Sequence, residues 1–301
     1  MGVFSFLRAE ESTDYIDEPV SFDEDVSSLP KQFWSFEADY DWISKAKFTT
    51  PEERGNSIRF SEGTIELAYA RMLNRCEGIA IGAGYDGICI DWKNNGFFCE
   101  DDFSKVLVKV YGFSARLPCW EWKGGVTGRF DTSHFDLYDH TVWDILLWGR
   151  YSWSTRYFKD VGLNIGFLSK VGIDKQWALP IIGIDFVICP KWKINLVFPT
   201  DLSVHYLFND RWSLVLTNRF WNVRSRLKKS EPLSEGIFEY RNSGLDLGVC
   251  YHLCEYIHGE IHAGSTYGSG DMKISDKDNH TIRHNKFKSS AYVGMSADFK
   301  F

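Results

Sequence analysis

Apolar and polar residues alternate along most of this chain. The stretch "WSFEADYDW" puts Trp34, Phe36, Ala38, Tyr40 and Trp42 on one side and Ser35, Glu37, Asp39 and Asp41 on the other, which is the period-two signature of a strand. "TIELAY" repeats it with Ile65, Leu67 and Tyr69 against Thr64, Glu66 and Ala68. "VWDILLWGRYSWSTRY" sets Ile145, Leu147, Tyr151, Trp153 and Tyr157 against Asp144, Arg150, Ser152, Ser154 and Arg156. Similar ribbons run through 78–92, 103–116, 120–130, 161–171, 178–188, 192–198, 202–208, 211–221, 238–252, 256–268 and 286–301. The pattern predicts about fourteen strands, or twelve if the pair around Pro199 is a single bent strand and the count is otherwise reduced.

The connections alternate in length. Short turns fall at 74–77, 117–120, 158–160, 189–191, 209–210 and 253–255, and long polar loops are expected near 43–60, 93–102, 131–141, 223–237 and 269–285. Short turns on one rim and long loops on the other are what outer-membrane barrels show. Alternation alone also fits a soluble sandwich or lipocalin with its apolar face inward. Three features favour the membrane form: the strand number, which is large for a soluble meander; the charge on the polar face, which suits a wet lumen; and the aromatics near segment ends. Trp34, Trp42, Trp92, Trp120, Trp122, Trp143, Trp153, Trp192 and Trp212 are expected to form interfacial girdles. The reading is an all-β, antiparallel up-and-down transmembrane barrel over 31–301, in the bacterial outer membrane.

Composition sharpens this picture. Aromatics make up 16% of the chain and hydrophobic residues 44%, enough for strands and a large buried interior. No apolar run is long enough for a transmembrane helix, so the chain could span a bilayer only as a closed barrel. The net charge of -7 and the absence of a long basic run exclude a nucleic-acid binder. Residues 10–30 carry eight Asp and Glu without one Lys or Arg and are expected to be a solvated, flexible N-terminal segment, which could plug the lumen against its Lys and Arg. Residues 1–9 lack a full signal peptide but look like the final part of one that starts upstream.

The chain ends "AYVGMSADFKF", with Val293, Met295, Ala297, Phe299 and Phe301 on one face. A terminal Phe behind such alternation resembles the insertion signal of outer-membrane proteins, with Ser296 where a Gly is common. The expected partners are therefore the barrel-insertion machinery, through the strand ending in Phe301, and outer-membrane lipid. The succession "ALPIIGIDFVICPKWKINLVFPTDLSVHYLFNDRWSLVL" (178–216) resembles a family of uncharacterised bacterial outer-membrane barrels. The likeness is best over 177–301. It implies location and fold, and no catalytic residues or substrate.

Candidate chemistry is sparse. "GAGYDG" (82–87) has dinucleotide-fingerprint spacing, but no helix follows to receive a pyrophosphate; the glycines fit a crowded, curved strand. "DKDNHTIRHN" (276–285) lacks the central Gly and terminal Glu of a calcium loop and reads as a solvated loop. No nucleophile signature such as G-x-S-x-G is present, so no enzyme and no cofactor are expected. If "LCE" is a three-residue turn, His252 faces Tyr256 and Cys250 faces His258, and Asp246, Cys250, His252, His258, Glu260 and His262 share the inner face. His258, Glu260 and His262 are weak candidates for a divalent metal; a polar wall is the plainer reading. Other lumen candidates are Glu37, Asp39, Asp41, Glu66, Lys105, Lys109, Lys123, Arg129, Arg150, Arg156 and Arg219. Of the seven cysteines, Cys76, Cys119, Cys189 and Cys254 occupy short turns, too far apart for disulfides within one barrel. They are free, or cross-link to other envelope proteins. The functions that follow are a passive pore or transport channel, or a non-conducting structural envelope protein joined through those rim cysteines.

Overall fold

The computed structural model describes residues 32–301, except 51, 52, 54, 134, 135, 137, 138, 156, 157, 159, 255 and 269. The N-terminal segments 1–9 and 10–30 and Arg156 lie outside the described residues. From the start the strands run β1 (Gln32–Lys47), β2 (Ser57–Met72), β3 (Glu77–Trp92), β4 (Asp102–Ser114), β5 (Trp120–Asp131), β6 (Thr141–Trp153), β7 (Asp160–Gly172) and β8 (Lys175–Cys189). They continue with β9 (Trp192–Phe198), β10 (Asp201–Leu207), β11 (Trp212–Arg226), β12 (Ile237–Cys254), β13 (Ile257–Thr266), β14 (Gly270–Ser275), β15 (Thr281–Phe287) and β16 (Ala291–Lys300).

These segments form one antiparallel meander, which closes where β1 pairs with β16 from Ser35↔Lys300 to Ile43↔Tyr292. The sixteen segments make fourteen staves. β13 and β14 both pair with β12, at its lower and upper ends, and are one stave in two pieces, ending at Thr266 and resuming at Gly270. β15 and β16 likewise follow one another along the neighbouring stave, with Phe287 bridging to Phe48 beyond the end of β1. β9 and β10 are two separate strands around the 199–200 turn. They are short, so β8 before Ile182 has no β9 partner and β11 beyond Thr217 has no β10 partner.

Several staves outrun the expected segments. A 16-residue strand tilted as in a barrel rises roughly 40 Å, against an apolar band of about 25 Å. The expected loops are correspondingly shorter: β1 continues to Lys47, β2 begins at Ser57, β11 continues to Arg226 and β12 begins at Ile237. The segment 269–285 is not a loop, since it holds β14 and most of β15 around a turn at 276–280.

The reason is a reversal of the hydrophobic phase. In the lower wall the outward residues are apolar, as with Ile65 and Leu67, and the inward ones polar, as with Glu66. In the upper wall the inward residues become apolar. Ile58, Phe60, Ile88, Ile90, Trp92 and Phe103 are buried, with Arg59, Cys89 and Asp91 on the outside. Trp92 therefore packs inside, against Phe48 and Phe97, and not in an interfacial girdle. Strand backbone continues wherever alternation does, whichever face is apolar.

Candidate functional site

The outer surface sets the context. Large apolar side chains there have no protein cover: Ile261 is 72% exposed, Ile182 61% and Met295 57%. Near the turn rim a band of aromatic pairs circles the wall, with Trp34 on Tyr69 (5.1 Å), Trp120 on Trp122 (5.2 Å), Trp192 on Tyr206 (4.8 Å) and Trp212 on Tyr251 (4.6 Å). An even-numbered, closed antiparallel barrel with an apolar outside and an interfacial aromatic band is the form in which outer-membrane proteins span their bilayer. The protein is an integral outer-membrane barrel.

Inside, charge is organised along the wall. On β2 to β6, Lys109 pairs with Glu66, and Arg129 bridges Asp86 and Asp144, its Nε 2.9 Å from Asp144. Gly82 makes room for this: a Cβ there would lie 2.7 Å from Lys109 Cε. On β6 to β8, Arg150 holds Asp185 and Asp160 at 2.6 Å each, and Asn164 donates to Asp185 at 2.5 Å. On β11 to β16, Arg219 pairs with Asp246 (2.8 Å) and Glu260 (2.6 Å), while Tyr292 donates to Asp246 at 2.7 Å. His262 meets Asp41 at 2.8 Å, and the Trp221 indole donates to the same carboxylate at 3.1 Å. The inner wall thus carries both signs, cross-neutralised between nearby staves, as burial of charge requires.

The structure places the residues expected in the lumen as follows. Glu37, Glu66, Lys105, Lys109, Lys123 and Asp246 are buried on the inner side; Asp39, Asp41, Arg129, Arg150 and Arg219 are half-buried there. Lys105 donates to the Arg224 carbonyl at 2.7 Å, across from β4 to β11. His252 stacks on His258 at 4.5 Å between centroids. The turn differs from expectation: Cys254 pairs with Ile257 after a bulge, so His252 faces His258 and Cys250 faces Glu260. This two-residue slip leaves every side chain on its expected face. The three metal candidates do not converge. His258 turns to Asp298 at 3.1 Å, whereas Glu260 and His262 gather with Asp246 around the Arg219 guanidinium. That cation sits where a metal would have to bind. Gly82, Gly84 and Gly87 lie within the uninterrupted strand β3, with no helix after them. Cys76, Cys119, Cys189 and Cys254 occupy or border the short turns, and none of the seven cysteines is in a disulfide among the described residues.

The feature that sequence reasoning missed is a cap. Above Thr217 β11 has no β10 partner, and with β12, which stays laddered to β14, it bends inward across the mouth. One face, carrying Trp221, Val223, Phe238 and Tyr240, joins the apolar cluster on β1 to β4. Phe238 stacks on Phe103 (5.5 Å) and Tyr240 on Phe60 (4.2 Å). The other face meets β6 to β8, where Arg224 and Lys175 hold Glu239 at 2.8 and 2.6 Å. Arg224 also donates to the Ile173 carbonyl in the β7–β8 turn at 2.8 Å. At the tip, Arg226 pairs with Asp174, and Lys228 pairs with Glu100 at 2.9 Å. Burial pushes the Glu100 carboxyl up despite that partner, while the hydrogen bond that Lys228 donates to Glu100 raises the Lys228 ammonium. The signal in the sequence was Val223, Leu227, Leu233 and Ile237 inside the supposedly polar loop 223–237.

No family model matches the chain. It is similar to an uncharacterised protein of Chlamydia trachomatis serovar D, 22% identical over 293 residues and covering 92% of this chain and 90% of that one. An uncharacterised protein of Chlamydia pneumoniae is 22% identical over 295 residues, covering 93% and 90%. These likenesses run nearly the whole length rather than over 177–301 alone. Among solved structures, an outer-membrane channel of Pseudomonas putida F1 aligns with 95% of this chain and 100% of its own at a TM-score of 0.46 and 9% identity. A TodX monoaromatic hydrocarbon channel mutant aligns over 94% of each at 0.42 and 11%.

Proposed function

We propose that the protein is a passive transport channel of the outer membrane whose loop-side mouth is closed by the β11–β12 cap. The observation that carries this reading is the division of the interior. The lower lumen is lined by charge of both signs, suited to water and ions. The upper lumen is sealed by stacked aromatics on a hairpin held at its margins by ion pairs. A wall meant only to be filled has no need of two such zones, whereas a gate needs a polar path and a movable apolar closure. The test is conductance of the full-length, refolded protein in planar bilayers. Brief openings over a closed baseline are expected. A silent membrane containing heat-modifiable, inserted barrels would refute a channel.

The second reading is a non-conducting envelope protein joined to others by disulfides, favoured by the four free cysteines at the turn rim. Its test is migration on reducing against non-reducing gels from intact cells. The acidic segment 10–30 would add a plug from the opposite rim, and its deletion would then raise conductance.

A further inference from the structure

Nearly every cation inside the barrel has a carboxylate beside it, but one group on the outside does not. Just above the apolar band, the outer faces of β1, β14, β15 and the link from β15 to β16 carry Lys45, Lys47, Lys273, Lys286 and Lys288. Among the described residues none of these five has an ion-pair partner. They are adjacent: the Lys288 amide donates to the Lys47 carbonyl at 2.9 Å, and the Thr49 amide donates to the Lys286 carbonyl at 2.8 Å. Lys273 lies opposite His284 across the β14–β15 ladder. Their inward neighbours Ala46, Phe48, Ile274 and Phe287 are buried, which fixes the lysines on the outer face. The nearby carboxylates are engaged elsewhere, Asp271 with His284 at 3.2 Å and Asp91 with Arg59 at 3.6 Å.

Like charges on adjacent strands repel, and a chain of net charge -7 has acids to spare, yet Asp271, opposite Lys286 in the β14–β15 ladder, is held by His284 and no carboxylate among the described residues is bonded to a lysine of the patch. The position explains the omission. Trp42, on the outer face of β1, marks the upper edge of the apolar band, and Arg59 lies over its ring at 5.9 Å. Lys45 and Lys47 follow within about 10 to 15 Å along the strand. The ammonium groups therefore stand at headgroup height on the loop side, where long basic side chains meet lipid phosphates. We infer that this patch binds the phosphates of an anionic lipid headgroup in the loop-side leaflet, with the acyl chains lying on the apolar band below.

The experiment uses the full-length refolded barrel in neutral detergent, with retention of a bis-phosphorylated glycolipid (lipid A) measured by native mass spectrometry. The same lipid with its phosphates removed is the comparison, and inorganic phosphate is the competitor. The combined variant Lys47→Gln, Lys286→Gln, Lys288→Gln is expected to weaken retention by about a hundredfold, from roughly fivefold per ammonium lost near an anionic surface. The corresponding Lys→Arg variant should keep binding, and added salt should weaken it in the unaltered protein. Equal retention of the two lipids, or no loss in a Gln variant that still shows heat-modifiable migration, overturns the proposal. Complete displacement by millimolar inorganic phosphate overturns the assignment to lipid. Should the Gln variant fail to fold, the dephosphorylated lipid and the salt series decide on the unaltered protein. None of these readings depends on conductance, so the inference stands or falls apart from the channel.

Discussion

Truncating Phe238 should unlock the cap. The side chain is fully buried, stacked on Phe103 at 5.5 Å with planes 5° apart and edge-on to Phe98 at 5.7 Å. Phe→Ala at such a site removes about 3 to 5 kcal/mol. Phe238 lies in the upper half of β12, laddered to β11 on one side and β14 on the other, so this loss falls on the packing of that upper segment across the mouth and hardly on the lower ladder of β12 with β13. At about 1.4 kcal/mol per tenfold, the ratio of closed to open states drops by roughly two to three orders of magnitude. Single-channel recording of Phe238→Ala should show a matching rise in open time. Trypsin should cut faster at Arg226, Lys228 and Lys229 near the tip. Phe103→Ala should act similarly, and the double variant should fall short of the sum because the two rings share one contact. Leu247→Ala, on the outer wall, serves as the control. A Phe238→Ala barrel with unaltered gating and unaltered cleavage would refute the idea that aromatic packing holds the mouth shut.

Other outcomes follow from the same geometry. Arg219→Ala leaves Asp246 and Glu260 buried without their cation and should lower barrel stability by about 3 to 5 kcal/mol, read as a lower temperature for loss of the fast-migrating gel band. The Asp276 carboxyl is held below its ordinary value, first by the His280 backbone amide. Its contribution to the 276–280 turn is therefore present above the usual carboxylate range and lost as pH falls through the folded value. Protection of the turn amides, relative to their intrinsic exchange rate at each pH, should fall on acidification, and protection that does not change as the pH drops would contradict this. Maleimide should label Cys119 and Cys254 rapidly and the buried Cys250 slowly; uniform labelling would mean that the β12–β13 wall opens.

The lower barrel was legible because one rule, apolar outward and polar inward, holds from the turn rim to about Trp42. Alternation in 34–42 and 64–69 fixed both the strands and the faces of Glu37, Asp39, Asp41 and Glu66. The upper barrel was not, because the same alternation continues in opposite phase: Ile58 and Phe60 point inward with Arg59 outward. Read for a lipid-facing ribbon, 43–60 and 269–285 look like polar loops. The partners of the inner charges were equally hidden. Asp41 and His262 are 221 positions apart and meet only because β1 and β13 both flank β16. The cap needed a fact that no local pattern carries, namely that β9 and β10 stop short and leave β11 beyond Thr217 without a neighbour on that side.

That shortness also acts on the lipid. Around most of the circumference the outer wall offers an apolar height of about 25 Å, but the seven-residue strands β9 and β10 rise only ~17 Å at a typical barrel tilt. On that side the bilayer must thin by several ångströms or the whole barrel must lean, at a cost of fractions of a kcal/mol for each ångström of mismatch. A cylinder of uniform height would sit upright in any membrane; this one has a preferred azimuth, and bilayer thickness becomes a force applied beside the very strands from which the cap departs.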